Sequence, residues 1–174
     1  MILIFSGFNP RAVLAFIRTL EKNNISDYGI IANGICDRIF LTKYASKVIY
    51  VRKEKTLNLH EIDKIIDEAK KNRDTNIFIA PSTEFLNRWL LENRSYLEER
   101  NCIIPLVNKE LYYKISDKFS FSNLCRARGI LTPFEKEILE TDQLPVVAKP
   151  KTYVSSDSKI YNPIFLKNTE DVMV

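Results

Sequence analysis

Histidine is nearly absent from this chain of 174 residues: His60 is the only one. That removes Ser-His-Asp triads and histidine-rich metal sites from consideration, and His60 itself falls on the polar side of an expected helix. Glycine is scarce too, with four residues in all. No GxGxxG fingerprint can be assembled from them, which argues against a nicotinamide-dependent or sugar-nucleotide-dependent Rossmann enzyme. The three cysteines, Cys36, Cys102 and Cys125, are widely spaced and form no CxxC pair, so buried, reduced thiols are expected rather than a metal or redox centre. No apolar run approaches the roughly 20 residues that cross a bilayer. Met1-Ile2-Leu3-Ile4-Phe5 has neither the basic leader nor the cleavage site of a secretory signal, and a cytoplasmic location without membrane association is expected. Charge of one sign is also limited. The net charge is +4, from 26 Lys and Arg against 22 Asp and Glu. Neither Lys53-Glu54-Lys55 nor Lys70-Lys71-Asn72-Arg73 is accompanied by stacking aromatics or a binding motif, so nucleic acid is not expected as a partner.

Hydrophobic residues make up 45% of the chain and aromatics 11%, ample for a buried core. Ile2 to Phe5 is a continuous apolar run ending in Ser6-Gly7, as a buried parallel strand entering a loop would be. Asn9 can cap, and Pro10 can open, a helix whose residues Val13, Leu14, Phe16, Ile17 and Leu20 recur at helical spacing before Asn23-Asn24 ends it. Tyr28 to Ala32 and Lys47 to Val51 read as strands, with a short helix over Ile39 to Tyr44 between them. Leu59, Ile62, Ile65, Ile66 and Ala69 form the apolar stripe of the next helix. Ile77 to Ala80 follows as a strand, then Pro81-Ser82-Thr83 and a helix expected to carry Phe85, Leu86, Trp89 and Leu90 inward. Cys102 to Ile104 adds a short strand. Strands alternating with helices at short separations imply right-handed crossovers in an open, parallel, Rossmann-like sheet flanked by helices.

Past Pro105 the pattern changes. A short connecting helix is expected over Asn108 to Tyr113, and the division falls there, giving domains of 1–107 and 108–174. Ser116 is the expected cap of a helix from Asp117 to Arg128, which Gly129 ends in the left-handed C′ position with Ile130 folding back on the last turn. Strand candidates then run over Phe134 to Leu139, Pro145 to Lys149 and Ile164 to Lys167, linked by Glu140-Thr141-Asp142-Gln143 and by a polar loop around Ser155-Ser156-Asp157-Ser158.

Two lysines stand out in this second part. Lys118 lies near a helix start, where positive charge is unfavourable unless an anion answers it. Lys149 ends the short apolar strand Val146 to Ala148. Each alone reads as an ordinary solvated lysine. Their order, with Gly129 and Pro133 between them, suggests two cations brought toward one anion.

The sequence Ser116-Asp117-Lys118, helix, Arg128-Gly129-Ile130-Leu131-Thr132-Pro133, spacer, Pro145-Val146-Val147-Ala148-Lys149-Pro150 resembles the entry to the nucleotide-binding domain of ATP-grasp ligases, in the carbamoyl-phosphate-synthase-like, carboxylate-amine group. The preceding α/β part resembles the pre-ATP-grasp domain, so the resemblance covers nearly the whole chain. It implies that Lys118 and Lys149 contact the phosphates and the adenine side of ATP. It also implies that Ser155, Ser156 and Ser158 sit where the family places a phosphate-covering loop. That loop lacks glycine here, and Asp157 would repel the ligand, so an ordinary hairpin tip flanked by Lys151 and Lys159 reads equally well. Ser6 and Gly7 follow the first strand where open α/β sheets bind ligands, and the resemblance puts the non-nucleotide substrate on that side. Glu84 could hold an amine there, although a helix-dipole role explains it more simply.

The resemblance further implies an ATP-dependent ligase that joins a carboxylate to an amine or thiol through an acyl phosphate, with Mg²⁺ held by residues downstream of these lysines. Asn168-Thr169-Glu170-Asp171 is a helix-capping pattern placed just before Val174, and a fragment of a longer protein, cut within a truncated ATP-grasp domain, is the expectation. Such a fragment is expected to be inactive and to bind ATP weakly. A non-catalytic nucleotide-binding or interaction module remains the alternative. A homo-oligomer is compatible with the several apolar helix faces.

Overall fold

A computed structural model of the chain describes residues 1–7, 9–54, 56–71, 76–133, 144–149 and 162–172. It divides into two compact units, Met1–Tyr112 and Tyr113–Val174.

The first unit is α/β. Five strands, β1 (Ile2–Phe5), β2 (Tyr28–Ala32), β3 (Val48–Val51), β4 (Ile77–Ala80) and β5 (Cys102–Ile103), form one parallel sheet in the order β3-β2-β1-β4-β5. Helices α1 (Pro10–Lys22), α2 (Leu59–Lys70), α3 (Glu84–Glu92) and α4 (Arg94–Glu99) cover its faces. The order runs outward from β1 to β2 and β3, then returns across β1 to β4 and β5. With right-handed crossovers, such a reversal sends α1 to one face and the later helices to the other. The core shows that split. Ile4, Ile30 and Ala32 pack with Val13, Ile17 and Leu20 of α1, whereas Leu3, Phe5, Ile31, Ile77 and Ile79 pack with Ile62, Ile65 and Ile66 of α2, Leu86 and Leu90 of α3 and Leu97 of α4. Alternate residues of β1 and β2 thus serve opposite layers, as the period of two requires.

The start of α1 agrees with its sequence signals. Asn9 Oδ1 accepts from the Ala12 N–H at 3.2 Å and Pro10 occupies the first turn. Thr83 caps α3 in the same way, through the Leu86 N–H at 3.2 Å. Three expectations need correction. Phe85 does not turn inward: it is exposed, on the flank of the stripe held by Leu86, Leu90 and Leu91 in α3. The segment Ile39 to Tyr44 is not one helix: Ile39–Leu41 belong to a 3-10 turn, Arg38–Leu41, capped by Asp37, and Thr42 to Tyr44 lead into a second, Ala45–Lys47. Cys36 is exposed, while Cys102 and Cys125 are buried as expected.

A central strand also carries a close backbone approach. A Cβ at Gly29 would lie 2.7 Å from Met1 Cε and 2.8 Å from Ile49 Cδ1, so these two side chains fill the space that the glycine leaves on the α2 side of the sheet.

Helix α5 (Lys109–Ser116) leads into the second unit, which contains α6 (Lys118–Arg126) and an antiparallel pair, β6 (Val146–Ala148) with β7 (Ile164–Leu166). Helix α6 ends in a Schellman motif. Gly129 has φ +70°, the Ile130 N–H donates to the Cys125 carbonyl and the Gly129 N–H to the Arg126 carbonyl, both at 3.0 Å. The expected strand over Phe134 to Leu139 lies outside the described residues. At the end of β7, Asn168 Oδ1 accepts from the Asp171 N–H at 3.1 Å and caps a 3-10 turn over Glu170–Val172. Among the described residues no helix is long and apolar enough to cross a membrane.

Candidate functional site

The strand order reverses between β1 and β4, and in open parallel sheets ligands bind outside the carboxyl ends of the strands at such a switch point. Two loops leave the sheet there. Ser6 follows β1 and is almost wholly buried, its N–H donating to the Ile31 carbonyl at 2.9 Å. Gly7 comes next, and a Cβ on it would lie 3.7 Å from Ser82 Oγ in the loop after β4. Ser82 Oγ is itself shielded from solvent and has no hydrogen-bond partner in the structure. The two loops are therefore neighbours, as Ser6 and Gly7 require if they are to border one ligand side with the β4 loop. Helix α1 has no acidic residue in its first turn and carries Arg11 there, which leaves the positive end of its dipole unanswered by its own side chains.

Glu84 stands in the first turn of α3, as expected. Its carboxylate is already engaged, accepting from Arg88 Nη2 at 2.7 Å and from Arg88 Nε at 3.1 Å. This is an i, i+4 pair on an exposed helix face, and it favours the helix-stabilising role over amine binding.

Sequence reasoning missed a buried ion pair farther along the same edge. Arg52, directly after β3, and Glu61, in the first turn of α2, are each 6% exposed. Arg52 Nε lies 3.7 Å from Glu61 Oε2. Glu61 Oε1 accepts from the Lys53 N–H at 2.8 Å, and Arg52 Nη2 donates to the Glu54 carbonyl at 3.2 Å. The pair thereby fixes the turn out of β3 against the start of α2.

In the second unit, the cap of α6 is not Ser116. Ser116 closes α5, its Oγ donating to the Tyr113 carbonyl at 3.3 Å. Asp117 is the cap, with Oδ1 accepting from the Ser120 N–H at 2.7 Å. That backbone hydrogen bond holds the Asp117 carboxyl below the usual carboxylate range. The first residue of α6 is Lys118, which is exposed. A capping carboxylate beside it offsets the macrodipole, so the charge of Lys118 is less costly than a serine cap would have made it. Lys149 follows the last residue of β6 and is also exposed. Both lysines belong to one compact unit. Ser155, Ser156 and Ser158 lie outside the described residues. Among the described residues no three His, Cys, Asp or Glu side chains are grouped to hold a metal ion.

No protein-family model, no curated protein and no solved structure matches the chain.

Proposed function

We propose that this chain supplies the amino-terminal α/β domain and the start of the nucleotide-binding domain of an ATP-dependent ligase of the ATP-grasp type. The observation that carries the reading is the presence, within one compact unit, of an exposed lysine at the first position of a Schellman-terminated helix and an exposed lysine at the exit of an antiparallel strand. This order of elements agrees with the sequence resemblance and follows a parallel sheet whose switch point lies between β1 and β4.

In this reading Lys118 and Lys149 bind ATP and orient it. Neither acts as acid or base. A carboxylate oxygen of the substrate attacks the γ-phosphorus, the bond to the β,γ-bridging oxygen breaks and ADP leaves. The amine then attacks the acyl carbon, the acyl–oxygen bond breaks, and inorganic phosphate and a proton are released. Attack on an unactivated carboxylate would add charge to an anion. Transfer of the phosphoryl group first replaces a poor leaving group by a good one, and cations fixed around the moving phosphoryl group stabilise its charge. The Ser6, Gly7 and Ser82 edge would face the acceptor substrate.

The test is ATP binding by calorimetry in a double-mutant cycle. Lys118→Ala and Lys149→Ala should each weaken binding about tenfold, as loss of a charge-assisted contact does. The double variant should depart from additivity, because groups that share one ligand are coupled. Equal ATP affinity in the wild type and the double variant would end the reading.

A further inference from the structure

The first unit carries a second charged feature at the other edge of its sheet. The end of α1, the entry to β2 and the turns before β3 enclose two adjoining clefts of about 580 and 490 Å³, which share Glu21 and Lys43. Arg18 and Lys22 line the first, and Lys47 lines the second. Glu21 is the one carboxylate among the residues lining these clefts. It is already engaged: Oε2 accepts from the Tyr44 hydroxyl at 3.0 Å and from Lys43 Nζ at 3.2 Å. Those two contacts, the tyrosine first, hold its carboxyl below the usual range.

Glu21 therefore pairs directly with Lys43 and acts on Lys47 only at longer range, while Lys47 Nζ donates to the Ser26 carbonyl at 3.3 Å; one carboxylate thus faces four cations, Arg18, Lys22, Lys43 and Lys47. None of Arg18, Lys22 and Lys47 has a directly paired carboxylate among the described residues, whereas Lys71, Arg88 and Arg100 of the same unit have one at 2.9, 2.7 and 3.0 Å. The helix dipole accounts for Lys22, which sits in the last turn of α1. It does not account for Lys43 or Lys47, which arrive on a separate segment. These two are also held in position. Lys43 Nζ lies 4.9 Å from the centre of the Tyr44 ring, and Lys47 Nζ lies 5.0 Å from that of Tyr28. Both rings belong to buried tyrosines, so the ammonium groups rest on rigid supports rather than on free side chains. With Glu21 as their one carboxylate, the cations gathered here retain a net positive charge that a further anion would offset.

We propose that this edge is an anion-binding site for a small ligand bearing more than one phosphate group, one phosphate near Arg18 and Lys22 and another near Lys47, with Lys43 between. It lies opposite the switch-point edge, and it stands apart from the nucleotide reading of Lys118 and Lys149. The probe is inorganic pyrophosphate, titrated at constant ionic strength while backbone amide resonances are followed, with orthophosphate and chloride as comparators. Saturable shifts should centre on residues 18–22 and 42–47, with pyrophosphate about tenfold tighter than orthophosphate, since two charge-assisted contacts replace one. The Lys22→Ala/Lys47→Ala double variant should lose at least that factor, while Lys64→Ala, at an exposed lysine of α2, should leave it unchanged. Shifts that follow ionic strength equally with chloride would overturn the proposal, as would undiminished binding in the double variant. Tighter binding of a single-stranded oligonucleotide than of pyrophosphate would overturn the small-ligand assignment.

Discussion

Arg52 and Glu61 face each other inside the protein at 3.7 Å, each 6% exposed, one leaving β3 and the other opening α2. A buried pair of this kind has already lost its hydration, and removing one member strands the other without water or counter-charge. Glu61→Leu alone should destabilise the first unit by about 3–5 kcal/mol, and Arg52→Met/Glu61→Leu should recover most of it. Urea denaturation of the two single variants and the double variant checks this. Recovery short of half would show that the Lys53 N–H held by Glu61 matters more than the charge pair.

Gly129 has φ +70°, and a Cβ there would meet nothing within 4 Å. The cost of a side chain is therefore backbone strain alone. Gly129→Ala should cost about 1–2 kcal/mol, and Gly129→Asn less, because asparagine tolerates the left-handed region better. Thermal melts of the two variants, followed by the helical signal, give the comparison.

Burial pushes the Cys102 thiol up to about 11 from 9.0. Burial likewise raises Tyr28 and Tyr50, and the hydrogen bond to Asp63 raises Tyr96. In each case the native state keeps a proton that the unfolded state gives up first. For Cys102 this contribution is fully present below pH 9 and is lost as pH rises from 9 through about 11; for the three tyrosines it is fully present below pH 10 and is lost at higher pH. Stability measured by urea titration should be level near pH 8 and fall above pH 9, and Cys102→Ala should flatten part of that fall. The same burial predicts thiol reactivity: Cys36 should react with a disulfide reagent in the native protein, Cys102 and Cys125 only on unfolding.

Much of the first unit was legible in the sequence because its strands are short, uninterrupted apolar runs. β1, β2 and β4 lie where Ile2–Phe5, Tyr28–Ala32 and Ile77–Ala80 mark them. Asn9, Pro10 and Gly129 also act as their residue types require. Helix α4 was not read, since Arg94–Glu99 is six residues long with three charges and a single buried residue, Leu97. Its position depends instead on tertiary contacts: Tyr96 donates to Asp63 on α2 at 2.8 Å, and Arg100 pairs with Asp63 and Asp67. Glu61 was not singled out in the sequence, because what marks it is burial against Arg52 on a separate element, which only the folded chain shows. Ser116 and Asp117 are both competent caps. The continuation of α5 through Ser116 decides between them. The cationic edge was hidden for a similar reason, because Arg18 and Lys22 come together with Lys43 and Lys47 only in the folded chain.

The central claim is that Lys118 and Lys149 serve one nucleotide. Acetylation of lysines with and without ATP, read residue by residue by mass spectrometry at millimolar nucleotide, tests it most directly. ATP should slow modification of Lys118 and Lys149 together, at one shared ATP concentration, while Lys64 and Lys71 are unaffected. Modification of both at unchanged rates, or protection of one without the other, would contradict it.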